Sequence, residues 1–469
     1  MKNSFSLNLT PYTWVAILFI YMAVVMSFSS LARHNAFGSS FDLAIFAQAI
    51  HNTWNGSFLD SSIKGGICLL GDHVSLISAF LAPLYAIWDD ASVLLIVQAI
   101  AAASSVFPIY LIGREVFEDE KLPILFVITY VLYLPIRNAI RFDFHPELLG
   151  DPLLLWSFYF ILKNRLVLAS LFLLLVLTTK ETACGPVAIL GLWTWWFEKK
   201  KIFGVSWLLV SIVSFFLMVF VVAPYFAHQS YFYLGGNYLS WTKDFGGFIQ
   251  HLFQLSTVKY IKKIFLPLGL FSLLSPSTLI LTFPILFQNL AAKNLLARST
   301  FFQYTAFLTP FVFVSAIYGF KNCANWIKDR KFLDHSKIKI LTGGWLILWS
   351  LIFSGNSEFQ IIQGYRAADE PHFHYVRTFL KTIPSDRSVR THEVLAPHLA
   401  NRKELYIYEN QHPFEGGSEK AQNATYVILD RRFLGGNQQD KLRELEARGY
   451  QILHEHDGFY VYAKDRPVA

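Results

Sequence analysis

Residues 74–88 read VSLISAFLAPLYAIW, an apolar run closed by Asp89-Asp90. Whether this run crosses a membrane decides the side on which every later loop lies. A crossing helix needs about 20 apolar residues. This run is shorter and carries Pro83, which suits an interfacial or re-entrant helix better than a span.

The rest of the chain supplies the test. Of its 469 residues, 54% are hydrophobic, 17% aromatic and only 16% charged, where a soluble protein would carry about a quarter charged. Apolar runs near span length recur at about 12–31, 91–113, 122–136, 148–162, 166–179, 183–197, 204–223, 264–275, 277–290, 304–320 and 338–354. The fold class is thus an α-helical polytopic membrane protein with about eleven transmembrane helices. Pro267, Pro276 and Pro284 interrupt 264–290, which also suits a hairpin of broken helices. The first run has no small-residue cleavage site after it and reads as a retained span.

If 74–88 stays on one side, Lys2, Arg114, Lys121, Lys163, Arg165, Lys199-Lys200-Lys201 and the basic residues between 321 and 339 share one face. The positive-inside rule makes that face cytoplasmic. If the run crosses, the basic loops divide between both faces. The non-crossing reading puts the amino terminus in the cytoplasm. Loops 32–90, 137–147, 178–182 and 224–263, the loop before Gln303-Tyr304 and everything from 355 then lie outside. The protein is expected in the cytoplasmic (inner) membrane. Residues 1–354 form the membrane domain and 355–469 an extracytoplasmic domain.

That last segment loses the long apolar runs. Short β-like stretches at 389–391, 405–408, 426–430, 450–454 and 458–463 alternate with helical ones such as 438–448, the pattern of a small α/β domain. Asn423-Ala424-Thr425 is a glycosylation sequon by pattern. Cys68, Cys184 and Cys323 have no pair spacing, so neither a disulfide framework nor a metal knuckle is expected. The net charge of +7 reflects cytoplasmic Lys and Arg, not nucleic-acid binding.

The polar clusters fall on the expected outer face. FDLAIFAQAIHNTWNG (41–56) reads as an amphipathic helix along the membrane surface, with Leu43, Phe46, Ala47, Ile50 and Trp54 on one side and Gln48, His51, Asn52 and Asn55 mostly on the other. Asp42 stands at its start, either as a first-turn acid favoured by the helix dipole or as a general base beside the headgroups. GDHVS supplies Asp72 and His73. In RFDFHPELLGD (141–151), an extended backbone would put Asp143, His145 and Glu147 on one face. Such a set could ligate a divalent metal. Alternatively, Arg137 and Arg141 could neutralise the acids or bind a phosphate. Asp151 is expected in the first turn of the next span, as a dipole partner. In TTKET, Lys180 and Glu181 read as a mutual ion pair at a span end or as cavity groups. Gln303-Tyr304 stands at the mouth of a span, near Arg298.

At FDLAIFAQAIHNTWNG, GDHVSLISAFLAPLYA, RFDFHPE, TTKET and APHLANRKELYIY…ATYVILD the chain resembles a family of predicted membrane proteins with an FDLG-type first-loop motif and a DFHPE motif. That family is similar to the GT-C superfamily of polyprenyl-phosphate-dependent glycosyltransferases. The resemblance implies membrane-lying helices in the first outer loop and transfer of a sugar from a polyprenyl-phosphate donor to an acceptor on the outer leaflet. The acceptor, whether lipid, glycan or protein, is left open. By position, Asp42 matches the family's acid. Gln48, His73, Arg137, Arg141, Lys180, Glu181 and Tyr304 are candidates for substrate and phosphate contacts by location. A transporter or flippase, or a non-catalytic scaffold, are the alternatives.

Overall fold

The computed structural model describes residues 10–330, 334–355, 357–408, 419–433 and 438–464. Lys2 lies outside them. Helices dominate the first three quarters. The main ones are α1 (Pro11–Asn35), α2 (Phe41–Trp54), α3 (Ser92–Phe117), α4 (Pro123–Leu132), α5 (Leu134–Arg141), α6 (Glu147–Leu162), α7 (Leu166–Leu177), α8 (Cys184–Trp196), α9 (Lys201–Ala227, with a π turn at Met218–Val222), α10 (Phe283–Ala291), α11 (Leu308–Asp329) and α12 (His335–Ile352). On length and composition, α1, α3 and α9 suffice to cross a membrane, and α4 and α5 would do so as one span bent by 46°. The bend falls at Tyr133, whose extended backbone precedes Pro135 near the start of α5. Proline cannot continue the hydrogen-bond ladder of the preceding turn.

Ten of the eleven expected spans coincide with helical segments. The exception is 264–275, where the chain leaves the helix Leu255–Phe265 through two 3-10 turns, Leu266–Leu268 and Phe271–Leu274. Gly269 and Leu270 are both left-handed there, with φ of 60° and 65°. The backbone groups this frees need partners. Ser272 donates its hydroxyl to the Val312 carbonyl at 2.9 Å, and Ser315 donates to the Ser272 carbonyl at 2.7 Å.

Contacts define two ends of the bundle. At one end Lys163 pairs with Glu115 at 3.1 Å, Lys339 with Asp119 at 2.6 Å, and Lys321 donates to the Val116 carbonyl. Three of the lysines expected to face the cytoplasm, Lys163, Lys321 and Lys339, thus lie at one end of the bundle. At the other end lie the starts of α2 and α6 and the turn after α7. The run 74–88 forms only the short helix Ile77–Phe80 and the 3-10 turn Ala82–Ala86. Its entrance meets Glu181 through the Val74 N–H at 2.9 Å, and Asp89 just beyond its exit meets His51 at 2.8 Å. One end of the run thus bonds to the turn after α7 and the other to the last turn of α2.

After α12, the helix α13 (Ser357–Ala368) runs back beside α1, and α14 (Pro371–Leu380) leads into a sheet. A small hairpin in the first loop supplies β1 (Asp60–Ser61) and β2 (Ile67–Cys68). The tail supplies β3 (Val389–Thr391), β4 (Leu405–Ile407), β5 (Tyr426–Asp430), β6 (Gln451–His456) and β7 (Phe459–Ala463). The tail sheet has the order β4-β3-β5-β7-β6, parallel through β4, β3 and β5 and antiparallel through β7 and β6. All five strands lie where the sequence put them. The tail does not stand apart, because Val376, Leu395, Leu405 and Val461 share one apolar core with Leu43, Ile50 and Leu69 of the first loop.

This core corrects the reading of α2. It is not a surface helix with an open polar side, since Leu43 through Ile50 are all buried. The tail covers Gln48 on the side expected to face water, while Asn55 at the end of the helix stays exposed. Gln48 is the seal. Its side-chain amide donates to Ser62 Oγ at 2.8 Å and to the Arg402 and Lys403 carbonyls at 3.1 and 3.2 Å. Its oxygen accepts from Ser61 and the Ile63 N–H. It has no capacity left for a substrate, so its placement among substrate contacts is withdrawn.

Candidate active site

Asp42 sits in the first turn of α2 and lines a cavity of about 780 Å³. Its Oδ2 lies 3.4 Å from His145 Nε2. Burial pushes this carboxyl up, but the contact with His145 and the charges of His145, Lys64 and Lys180 outweigh it, and Asp42 stays below its usual value. It is therefore a carboxylate at neutral pH, the form a general base needs.

The same cavity brings in His73, Lys180, Glu181 and Tyr304, four of the positions singled out in the sequence. Lys180 does not pair with its neighbour Glu181. Its backbone is extended between α7 and the 3-10 turn Glu181–Ala183, so consecutive side chains diverge. Lys180 Nζ bonds Glu147 Oε1 at 2.6 Å. Burial works against the ammonium, yet Glu147 and Glu181 hold its pKa above the usual lysine value. The cavity is thus lined by a permanent cation.

Glu181 accepts from His73 Nδ1 at 3.0 Å, the Tyr231 hydroxyl at 2.5 Å and the Val74 N–H. Burial raises its pKa, but His73 and the other donors bring it down to about 2. Beside it, Asp72 meets buried Lys64 at 3.3 Å and the Tyr233 hydroxyl at 2.8 Å, while the Tyr233 ring stacks on His73 at 4.8 Å. Lys64, Tyr231 and Tyr233 were not among the residues singled out in the sequence. The signals available were a lone Lys in a loop of small and apolar residues and a Tyr-Phe-Tyr alternation that aims two hydroxyls one way.

The DFHPE residues separate. Asp143 is fully buried, with Oδ1 at 2.9 Å from Arg33 and Oδ2 at 3.0 and 3.2 Å from the Ser40 N–H and hydroxyl. His145 faces Asp42, and Glu147 faces Lys180. Residue 142 turns the chain and Pro146 already has helical angles, so the extended geometry that would align the three is absent. Among the described residues no three His, Cys, Asp or Glu side chains converge to hold a metal ion. A divalent cation does not fit this set.

The two arginines also lie elsewhere. Arg141 hydrogen-bonds Gln360 at the start of the tail, and Arg137 is buried in α5. Neither lines the cavity. Asp151 is not a first-turn dipole partner but a buried brace, accepting the Phe307 N–H at 2.6 Å. That bond holds Phe307 in its left-handed conformation, φ 60°, at the start of α11.

Away from Asp42 and Lys180 the cavity becomes apolar. Ala188 of α8, Phe215, Phe216 and Val219 of α9, and Pro284 and Phe287 of α10 form its walls. Phe216 and Phe287 are 56% and 45% exposed, so this arm opens sideways on the apolar flank of the bundle.

Among solved structures, the chain is similar to ArnT from Cupriavidus metallidurans bound to undecaprenyl phosphate. The TM-score is 0.57 at 10% identity, covering 97% of this chain and 98% of that one. The apo state of the same protein gives a TM-score of 0.51 at 11% identity, covering 96% and 98%. At this identity the likeness shows a shared fold across nearly the whole length. A search of the curated proteins finds no match. The sequence profile of one family matches residues 33–461, and the chain belongs to that family, described as predicted membrane protein (DUF2079).

Proposed function

We propose that this protein is an inverting glycosyltransferase that takes a sugar from a polyprenyl-phosphate donor and passes it to an acceptor at the outer face of the cytoplasmic membrane. One observation carries the reading. A single cavity holds a carboxylate and a cation at its polar end and opens at its other end onto an apolar flank. A lipid chain suits the apolar arm, a phosphate suits Lys180, and a nucleophile suits Asp42. The solved relative with undecaprenyl phosphate is a precedent for such a ligand on this fold.

Asp42 takes the proton of the acceptor hydroxyl or amine, which attacks the anomeric carbon. The bond from that carbon to the phosphate oxygen breaks, and its electron pair leaves with the polyprenyl phosphate. Lys180 steadies the departing charge, which grows in the transition state. The basic end of the bundle faces the cytoplasm in this reading, with the chain crossing about eleven times.

The test separates binding from chemistry. With polyprenyl-phosphate hexoses as donors, Asp42→Asn is expected to keep lipid-phosphate binding and lose transfer by about 10²-fold or more. Lys180→Ala is expected to weaken binding of undecaprenyl phosphate itself. A folded Asp42→Asn protein with full transfer activity would remove the assignment.

A further inference from the structure

A carboxylate in the first turn of a helix is only as well placed as the helix start. The cap of α2, Ser40, makes no side-chain bond to the helix it begins. The fixing contacts come from residues 142–147 instead. Asp143 grips both the N–H and the hydroxyl of Ser40 and is itself held by Arg33. Two residues later, His145 reaches Asp42.

The surroundings of that imidazole define its form. Nδ1 lies 3.1 Å from the Asp143 carbonyl oxygen, which can only accept, so Nδ1 carries a proton. Nε2 faces the Asp42 carboxylate, so it too meets an acceptor. The His145 N–H donates to Gln98 Oε1 at 2.6 Å. Gln98 in turn donates to the Ile140 and Asp143 carbonyls at 3.1 and 3.0 Å. Phe142 stacks on the ring at 5.4 Å and 15°. Glu147, Lys180 and Lys64 are the other charges acting on the pair. The His145 contact engages Oδ2, and the Asp42 side chain is part-exposed on the cavity.

We infer that residues 142–147 form a bracket on the start of α2, in which His145, as an imidazolium, is the positioning residue for Asp42. It holds Oδ2 and leaves Oδ1 to take the acceptor proton. The use of the bracket rests on the proposed transferase reading, while its geometry does not.

The test uses the full-length protein in lipid nanodiscs, labelled with 15N-histidine, at about pH 7. His145 is assigned by the signals lost in His145→Gln. The bracket predicts two protonated ring nitrogens in the wild type and a neutral ring in Asp42→Asn, with a smaller response to Glu147→Gln. A neutral His145 in the wild type, or signals that ignore Asp42→Asn, would overturn it. So would Mg²⁺ or Mn²⁺ binding that His145→Gln abolishes. With undecaprenyl-phosphate glucose as the probe donor, His145→Gln should lower kcat by roughly 10- to 100-fold at little change in KM. An unchanged kcat contradicts the role. If the wild type turns over none of the donors, the transferase reading fails, and the nitrogen signals still decide the bracket.

Discussion

Glu181 concentrates the electrostatics of the cavity in one side chain. Its carboxyl is held at about 2 against an ordinary value of 4.5, mainly by His73 once burial is overcome. A depressed carboxyl stabilises the fold fully above its unfolded value and loses that contribution as pH falls through the folded one. The stability advantage of the wild type over Glu181→Gln should therefore be complete above about pH 4.5 and shrink toward about pH 2. Thermal melts of the two proteins across that window check this, and a gap that widens on acidification would contradict it. The sequence singled out Glu181, Lys180, His73, Tyr304 and Asp42 as polar groups in greasy surroundings. It could not pair them. Lys180 finds Glu147 across 33 residues and His73 finds Glu181 across 108, and such partners depend on how helices pack, not on local spacing. Local spacing misled at the DFHPE motif, where the helical angles of Pro146 end the alternation that suggested a metal.

At the scale of elements, the broken segment between the helix Leu255–Phe265 and α10 depends on one close approach. A Cβ on Gly319 of α11 would lie 1.8 Å from the Phe271 carbonyl oxygen. That oxygen is backbone and cannot swing aside, so Gly319→Ala must push the 3-10 turn off α11. A loss on the order of 1–3 kcal/mol is expected for such overpacking, read as a lower melting temperature in detergent. An unchanged melt would mean that the turn is not seated there. The prolines marked this segment in the sequence. That Gly319 makes room for it was not legible, because a glycine in an apolar helix looks the same whether it faces lipid or backbone. The helix α2 shows the converse. Gln48, one of the substrate-contact candidates, serves the junction with a tail more than 350 residues away.

The whole molecule has two chemically distinct ends, and their assignment to the two sides of the membrane is testable. In a background with Cys68, Cys184 and Cys323 replaced, Asn55→Cys should react with an impermeant thiol reagent on intact spheroplasts. Lys199→Cys should react only after permeabilisation. The reverse pattern would invert the topology. The basic loops made this polarity legible in the sequence, because charge placement follows from position along the chain. The shared core of the first loop and the tail was not legible, since each reads as a separate amphipathic unit. That shared core places the tail over α2 and beside the start of the polar cavity. On the proposed function, this cavity holds a lipid-linked phosphate against Lys180, with Asp42 across from it. A structure of the protein in nanodiscs with undecaprenyl phosphate tests it most directly. The phosphate is expected within hydrogen-bonding reach of Lys180 Nζ, with the chain lying along Phe216 and Phe287. A cavity left empty at saturating lipid, or a phosphate seated away from Lys180, would contradict it.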